Sequence, residues 1–305
     1  MSNSSSRQAK AGVVATALSF ALWGFVAIYY KQLSHVEPIV VMAHRIVWTF
    51  VLAAIVLSFR GKWGDIFTAI RRPREMANLA VAGLCLSANW YAFVWAIDND
   101  RLLDASLGYY INPLISIFLG AVFLRERLRP LQVVAILLAI VGVANLLVSH
   151  GSVPWAALVL GFSFATYGLL RKTSSLGSVQ GLTVESAIIT VPAILLLVYL
   201  AKDNRCAMAG GDMTTAALLV GTGIVTGGPL MIFSYGARRI RLATVGFLQY
   251  LAPSLMLIIG LAVYHEPFDI RKGITFAMIW AALAIYSWDS IRAHRQMMRT
   301  EAGVP

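Results

Sequence analysis

Two ionisable side chains, Arg45 and Glu185, each lie within a long apolar stretch of the chain. Burying such a group in hydrocarbon costs on the order of 3 kcal/mol or more, so it is by default a functional candidate. Other residues in the apolar stretches suit binding rather than covalent chemistry. Asn89-Trp90-Tyr91 places an amide and two rings well inside an apolar block, a stacking surface for a ligand, although ordinary helix packing uses the same residues. Tyr109, Asn112 and Ser116 share one helical face by their i, i+3, i+7 spacing, and Gln249-Tyr250 stand just before Pro253. Pro113 and Pro253 each remove an N–H and free the carbonyl four residues earlier, those of Tyr109 and Gln249. In lipid a freed carbonyl needs a protein partner or a wet cavity; a packing kink is the plainer use of the same residue.

What these residues do not offer is equally informative. The five histidines have no metal-ligand spacing, and no Ser/His/Asp set or paired-carboxylate site is legible. Neither an enzyme, a metal nor a cofactor is expected. Gly221-Thr222-Gly223 with Gly227-Gly228 imitates a dinucleotide fingerprint, but no strand precedes it, and small-residue helix packing is the better reading. Glu126 and Glu266 close two apolar blocks and each precedes another, which makes them turn-fixing anions at helix N-termini.

The elements that must carry these residues follow from composition. Of 305 residues, 59% are hydrophobic and 13% charged, with mean hydropathy +0.74. A soluble domain carries roughly 25% charged residues. The apolar residues come in blocks near the length, about 20 residues, that crosses a bilayer: 12–30, 39–58, 77–96, 104–124, 131–148, 155–170, 182–200, 214–236, 242–264 and 271–289. The first is too long for a signal peptide's apolar core and is read as an uncleaved helix. Cys85 falls inside a block and Cys206 between blocks, so no disulfide framework is implied. The net charge of +11 resides at block ends, which argues against nucleic acid as a partner.

With the N-terminus placed in the cytoplasm, inner segments hold eighteen Lys and Arg and outer loops six, the bias expected of a membrane protein in that orientation. A shift of 140 residues aligns the two halves: Arg101-Leu102 falls on Arg241-Leu242, Tyr110 on Tyr250, Pro113 on Pro253, Gly120 on Gly260, and Glu126 on Glu266. At a shift of 144, Ser19 to Gly24 meets Ser163 to Gly168. Five blocks per half is an odd number, so the second half enters the membrane inverted, an arrangement whose binding site lies near the midplane between the repeats. The expected organisation is therefore an all-α integral membrane protein of ten helices: a first five-helix repeat over 1–150 and an inverted second over 151–305, with both termini cytoplasmic. Arg45 and Glu185 also coincide at the 140 shift. Counted from Pro38 and Gly181 they lie about 10 Å and about 6 Å from opposite faces, hence about 14 Å apart in depth. They are expected to line one cavity at two levels rather than to pair, with snorkelling to the nearer interface as the alternative.

The chain resembles the RarD branch of the EamA domain family, in the drug/metabolite transporter superfamily, along nearly its whole length. The matching segments are Ala43 to Trp48, Asn89 to Tyr91, Ala105 to Pro113, Tyr167 to Lys172, Gly246 to Pro253 and Glu266 to Phe268; Asp104 stands where the branch is expected to carry Glu. The resemblance implies a multi-pass permease of the bacterial inner membrane. Members of the branch are commonly labelled by chloramphenicol sensitivity, which names no transported substrate. The expected function is a secondary transporter that moves a small metabolite or drug-like solute through a central cavity, driven by a proton or other gradient. The alternative is a non-transporting membrane sensor or scaffold. The bilayer and a small-molecule substrate are the expected partners, and small-residue helix faces leave a homodimer open. The candidate cavity residues are Arg45, Asn89, Trp90, Tyr91, Tyr109, Asn112, Glu185, Gln249 and Tyr250, with Pro113 and Pro253 as helix kinks.

Overall fold

In the computed structural model residues 2–98, 102–150, 155–202, 212–262 and 270–301 are described, and among them the chain is helical, with no strand. In chain order the helices are α1 (Ser2–Lys31), α2 (Pro38–Arg60), α3 (Trp63–Ile70), α4 (Pro73–Asp98), α5 (Leu102–Phe123) and α6 (Pro130–His150). They continue with α7 (Trp155–Thr173), α8 (Ser178–Lys202), α9 (Met213–Ala237), α10 (Leu242–Gln249), α11 (Leu251–Ala262) and α12 (Ile270–Glu301). Cys206 and Glu266 lie outside the described residues.

Local chemistry sets the helix ends. α2 opens on Pro38, whose missing N–H is no loss in a first turn, and closes at Gly61, whose left-handed φ of 61° returns its amide to the Ser58 carbonyl. α9 is capped by Asp212, whose carboxylate accepts from the amides of Thr214 (3.0 Å) and Thr215 (3.1 Å). Bonds from the Thr215 hydroxyl and these amides hold the Asp212 carboxyl below its usual range.

Two elements differ from the sequence expectation. The connection between the second and third apolar blocks holds α3, eight residues long and too short to register as a span; it turns Ile66 and Ala69 onto Leu57, Leu79, Leu176 and Val179. The block 242–264 is two helices rather than one kinked helix. Pro253 is the third residue of α11, a first-turn position where no N–H is needed, and α10 ends where the Tyr250 amide turns back to Phe247 (3.3 Å). Pro113, by contrast, stays inside an unbroken α5.

Packing joins helices from the two ends of the chain. α1 lies on α9 and α4 on α7; α2 lies on α9 and α4 on α8; α5 lies on α7 and α1 on α11. The contacts of α2 with α8, α5 with α10, and α6 with α12 complete the set. Exchanging the halves, with α10 and α11 taken together as the counterpart of α5, maps each of these contacts onto another or onto itself. Tyr110 and Tyr250, 140 residues apart, meet directly: the Tyr250 hydroxyl donates to the Tyr110 carbonyl at 3.3 Å. The bundle centre holds Phe20, Trp23, Phe164, Tyr167 and Phe233, a cluster of ring contacts in which Trp23 and Phe164 meet edge-on at 5.6 Å. The outer surface is apolar, with Phe59, Leu84, Phe118, Leu195 and Ile224 all exposed. Arg7–Lys31, Pro38–Arg60, Ser178–Lys202, Met213–Ala237 and Gly273–Ala293 are long and apolar enough to cross a bilayer.

The closest helix approaches rest on glycine. A Cβ on Gly223 of α9 would run into the backbone carbonyl of Trp48 on α2, whereas one on Gly228 would meet nothing within 4 Å. Gly223→Ala is therefore expected to lower stability by about 1–3 kcal/mol. Gly228→Ala should be neutral or stabilising by up to ~1 kcal/mol. Thermal unfolding of the two purified variants in detergent checks the contrast; equal melting temperatures would show that α2 and α9 do not pack this closely.

Candidate functional site

Arg45 sits on α2 with its guanidinium over two rings, 4.6 Å from the centroid of Trp90 on α4 and 5.7 Å from that of Tyr30 on α1. A cation over an aromatic face is stabilised by the ring quadrupole, by about 2 kcal/mol where water is excluded. Tyr109 of α5 lies close enough to Arg45 to feel its charge, and its ring meets Phe93 at 6.2 Å. Tyr30 is anchored in turn by its hydroxyl, 3.1 Å from Thr226 Oγ1 on α9. Four helices thus converge on one guanidinium. Arg45 Nε is buried without a hydrogen-bond partner, and no ion pair joins Arg45 to a carboxylate among the described residues. One turn further along α2, Trp48 Nε1 is also buried and unpartnered.

Glu185 does not share this setting. Its carboxylate is fully buried, with Oε1 accepting from Arg171 Nη1 at 3.0 Å, and Arg171 is equally buried. Arg171 also donates to the Gly177 carbonyl (2.8 Å) and Ser174 Oγ (3.5 Å), and the Tyr167 hydroxyl lies beside the carboxylate. Gly181 makes room, since a Cβ there would strike the guanidinium. The expectation of a cavity shared by Arg45 and Glu185 does not describe this state. Burial of a carboxylate in a dry bundle demands a counter-charge, and Arg171, which by sequence counts among the loop-end cations, supplies it. The separation in depth is retained: Gly83 of α4 lies against the backbone of Glu185, and Trp90 is seven residues, about 10 Å, further along that helix.

The same end of the bundle is clamped from outside the pair. Glu75 at the start of α4 accepts from Ser174 Oγ (2.5 Å) and from the amides of Ser175 (3.0 Å) and Leu176 (3.4 Å). Partial burial pushes the Glu75 carboxyl up, but these bonds outweigh it and hold the group below its ordinary range. Asp65 of α3 accepts from Gln180 at 2.9 Å.

The remaining candidates divide by what they touch. Asn89 Nδ2 is committed to the Leu160 carbonyl and Ser163 Oγ, both at 3.1 Å, and so fastens α4 to α7. Asn112 and Gln249 are joined through Ser116, whose hydroxyl lies 3.3 Å from Asn112 Oδ1 and from Gln249 Oε1; one hydrogen serves only one of them at a time. Tyr250 is buried against Tyr110. Tyr91 is 55% exposed on the outer face, away from Trp90, because adjacent helical residues point about 100° apart. Glu126 does not cap α6, the helix that follows it. Its carboxylate accepts from the amides of Leu242 (2.7 Å) and Ala243 (3.0 Å) at the start of α10, with Lys172 and Arg241 each 3.9 Å away. Tyr30, Trp48 and Arg171 escaped the sequence reading. The usable signal for Arg171 was its place across the short α7–α8 turn from Glu185.

The helices and the apolar surface define a multi-pass membrane protein. The family model described as EamA-like transporter family matches residues 10–148. Uncharacterized transporter YojE of Bacillus subtilis (strain 168) is 41% identical over 291 residues, covering 94% of this chain and 97% of that one. An uncharacterized transporter of Vibrio cholerae is 42% identical over 287 residues (94% and 95% covered), and Protein RarD of Escherichia coli (strain K12) is 38% identical over 290 (95% and 98%). One solved crystal structure superposes with TM-score 0.68 over 93% of this chain and 99% of that one; at 17% identity this likeness concerns the fold alone. The chain belongs to the RarD branch of the EamA-like transporter family.

Removing one partner of a buried pair strands the other charge, whereas replacing both does not. Arg171→Met is expected to cost about 3–5 kcal/mol, and Arg171→Met with Glu185→Leu to recover most of that loss. Thermal unfolding of the two single variants and the double variant gives the coupling; additive losses would mean that the pair is not formed in the membrane.

Proposed function

We propose that the chain is a secondary transporter which carries a small organic solute through a cavity between two inverted five-helix repeats. The observation that carries this reading is the convergence of α1, α2, α4 and α5, with α9 behind them, on a guanidinium that no carboxylate answers among the described residues. A half-buried cation inside an apolar helix, its Nε shut off from water and no carboxylate beside it among the described residues, is costly unless a ligand completes it. The exchange symmetry of the helix contacts supports the repeat, with α1, α2, α4, α5 and α6 matched to α7, α8, α9, α10–α11 and α12. The relatives named as transporters support the activity.

In this reading the protein lies in the bacterial inner membrane with both termini in the cytoplasm. The Arg171–Glu185 pair then closes the cytoplasmic end, together with Glu75 and α3, while Arg45 lies on the outer side of the closure. Movement of solute past that point requires the pair to open, and a proton or ion gradient supplies the energy. Gln249, Asn112 and Ser116 form a polar link between the repeats at the level where the solute would pass.

Counterflow of labelled solutes in proteoliposomes tests the proposal. Wild-type protein is expected to exchange at least one solute of a broad metabolite panel, and Arg45→Ala and Glu185→Gln to reduce exchange at least about tenfold while still inserting. No exchange across the panel, with a membrane partner co-purifying stoichiometrically, would replace transport with a scaffold role. For orientation, an impermeant maleimide on intact cells should label Cys206; labelling only after the cytoplasmic face is opened would invert the topology.

A further inference from the structure

The geometry around Arg45 points to the chemical class of the solute: we infer that the site takes a singly charged organic carboxylate with an apolar body. This deepens the transporter reading and rests on the same cavity.

Arg45 Nε and Trp48 Nε1 are both buried and unanswered. Guanidinium and indole N–H groups only donate, so whatever completes them is an acceptor. An acceptor beside an arginine in low dielectric gains most if it is an anion, and the planar guanidinium matches a carboxylate through two parallel bonds. The ring contacts fix how it docks. The Arg45 Cζ lies over the rings of Trp90 and Tyr30, 4.6 and 5.7 Å from their centroids, and the unanswered Nε leaves that edge of the guanidinium to the ligand.

Charge number narrows the class further. Arg45 lies in the interior of α2, seven residues past Pro38, and the charges that close the other end of the cavity, Arg171 and Glu185, neutralise each other. Among the described residues Arg45 is then the cation of this site without a carboxylate partner, and one cation balances one negative charge. A phosphate dianion would bring an uncompensated charge into the bundle, which is costly in proportion to its burial. The body of the ligand meets rings: Tyr109 lies by Arg45, and Phe93 packs on Tyr109 at 6.2 Å. Asn89, the nearest amide on α4 by sequence, is already committed to Leu160 and Ser163 and offers no ready partner for a polar body.

The test uses the full-length protein in lipid nanodiscs and four probes: phenylacetate, 3-phenylpropionate, phenylacetamide and phenylphosphate. Isothermal titration and thermal shift both report binding without requiring transport. Both carboxylates are expected to bind saturably, with phenylacetamide and phenylphosphate each at least about tenfold weaker. Arg45→Gln should remove the preference of acid over amide, and Arg45→Lys should keep part of it; circular dichroism and the elution profile establish that each variant is folded. The inference is overturned if neither acid binds, if amide and acid bind alike, if the dianion binds best, or if folded Arg45→Gln retains the preference. Saturable, Arg45-dependent binding of the acids without counterflow would sink the transporter reading alone. Counterflow of neutral solutes without acid preference would sink this inference alone.

Discussion

Inside a hydrocarbon layer every polar group must find its partner within the protein, because no water is there to supply one. Much of this bundle reads as a solution to that constraint. Asn89 reaches across to α7, Tyr250 to the carbonyl of Tyr110, Ser116 to Gln249, and Arg171 to Glu185. Three of these four bonds join the first half of the chain to the second, so the polar groups that would be a liability in lipid fasten the halves together. Glu126 does the same at the edge, by lending its negative charge to the positive end of α10 instead of its own following helix. The solution is incomplete: Arg45 is held by rings with its Nε unpartnered, and Trp48 Nε1 and Arg171 Nε are likewise buried without a hydrogen bond.

Close backbone approach is what brings those partners within reach. Glycine at 223 lets α9 lie on the carbonyl of Trp48, and Gly83 does the same for α4 on α8, where a Cβ would sit 3.2 Å from the Glu185 carbonyl oxygen. Positions 83 and 223 are related by the 140-residue shift, as are Arg45 and Glu185 on the two helices they press against. The same glycine device therefore serves opposite chemistry in the two halves. One half presents an open cation, the other a carboxylate already neutralised by its neighbour across a turn.

Much of the fold was legible because hydropathy blocks and helices obey the same length requirement. The helices generally overrun the blocks because polar ends such as Ser178 and Lys202 extend a helix beyond its apolar core. What hydropathy could not register was α3, whose eight residues pair inward Ile66 and Ala69 with outward Phe67, and the break at Tyr250. The site was legible by residue type but not by partner. Arg45 and Trp90 stand out as an ion and a ring in apolar sequence, yet nothing in one dimension says that they touch. Arg171 looked like one of many basic residues at a helix end, and Glu185 like a free carboxylate. Only the turn that brings the end of α7 beside the start of α8 shows that each answers the other. Tyr91 is exposed while Trp90 is buried, since neighbours on a helix face different ways.

The interruption between α10 and α11 divides one crossing of the bundle between two neighbours. α10 is fitted mainly to α5, where Gly246 lies against the Pro113 carbonyl, and α11 mainly to α1, where Gly24 lies against Leu255. A continuous rod in this place would oblige α1 and α5 to shift together. With the rod cut at Tyr250, each half can follow its own neighbour, and the Gln249–Ser116 contact sits at the articulation itself.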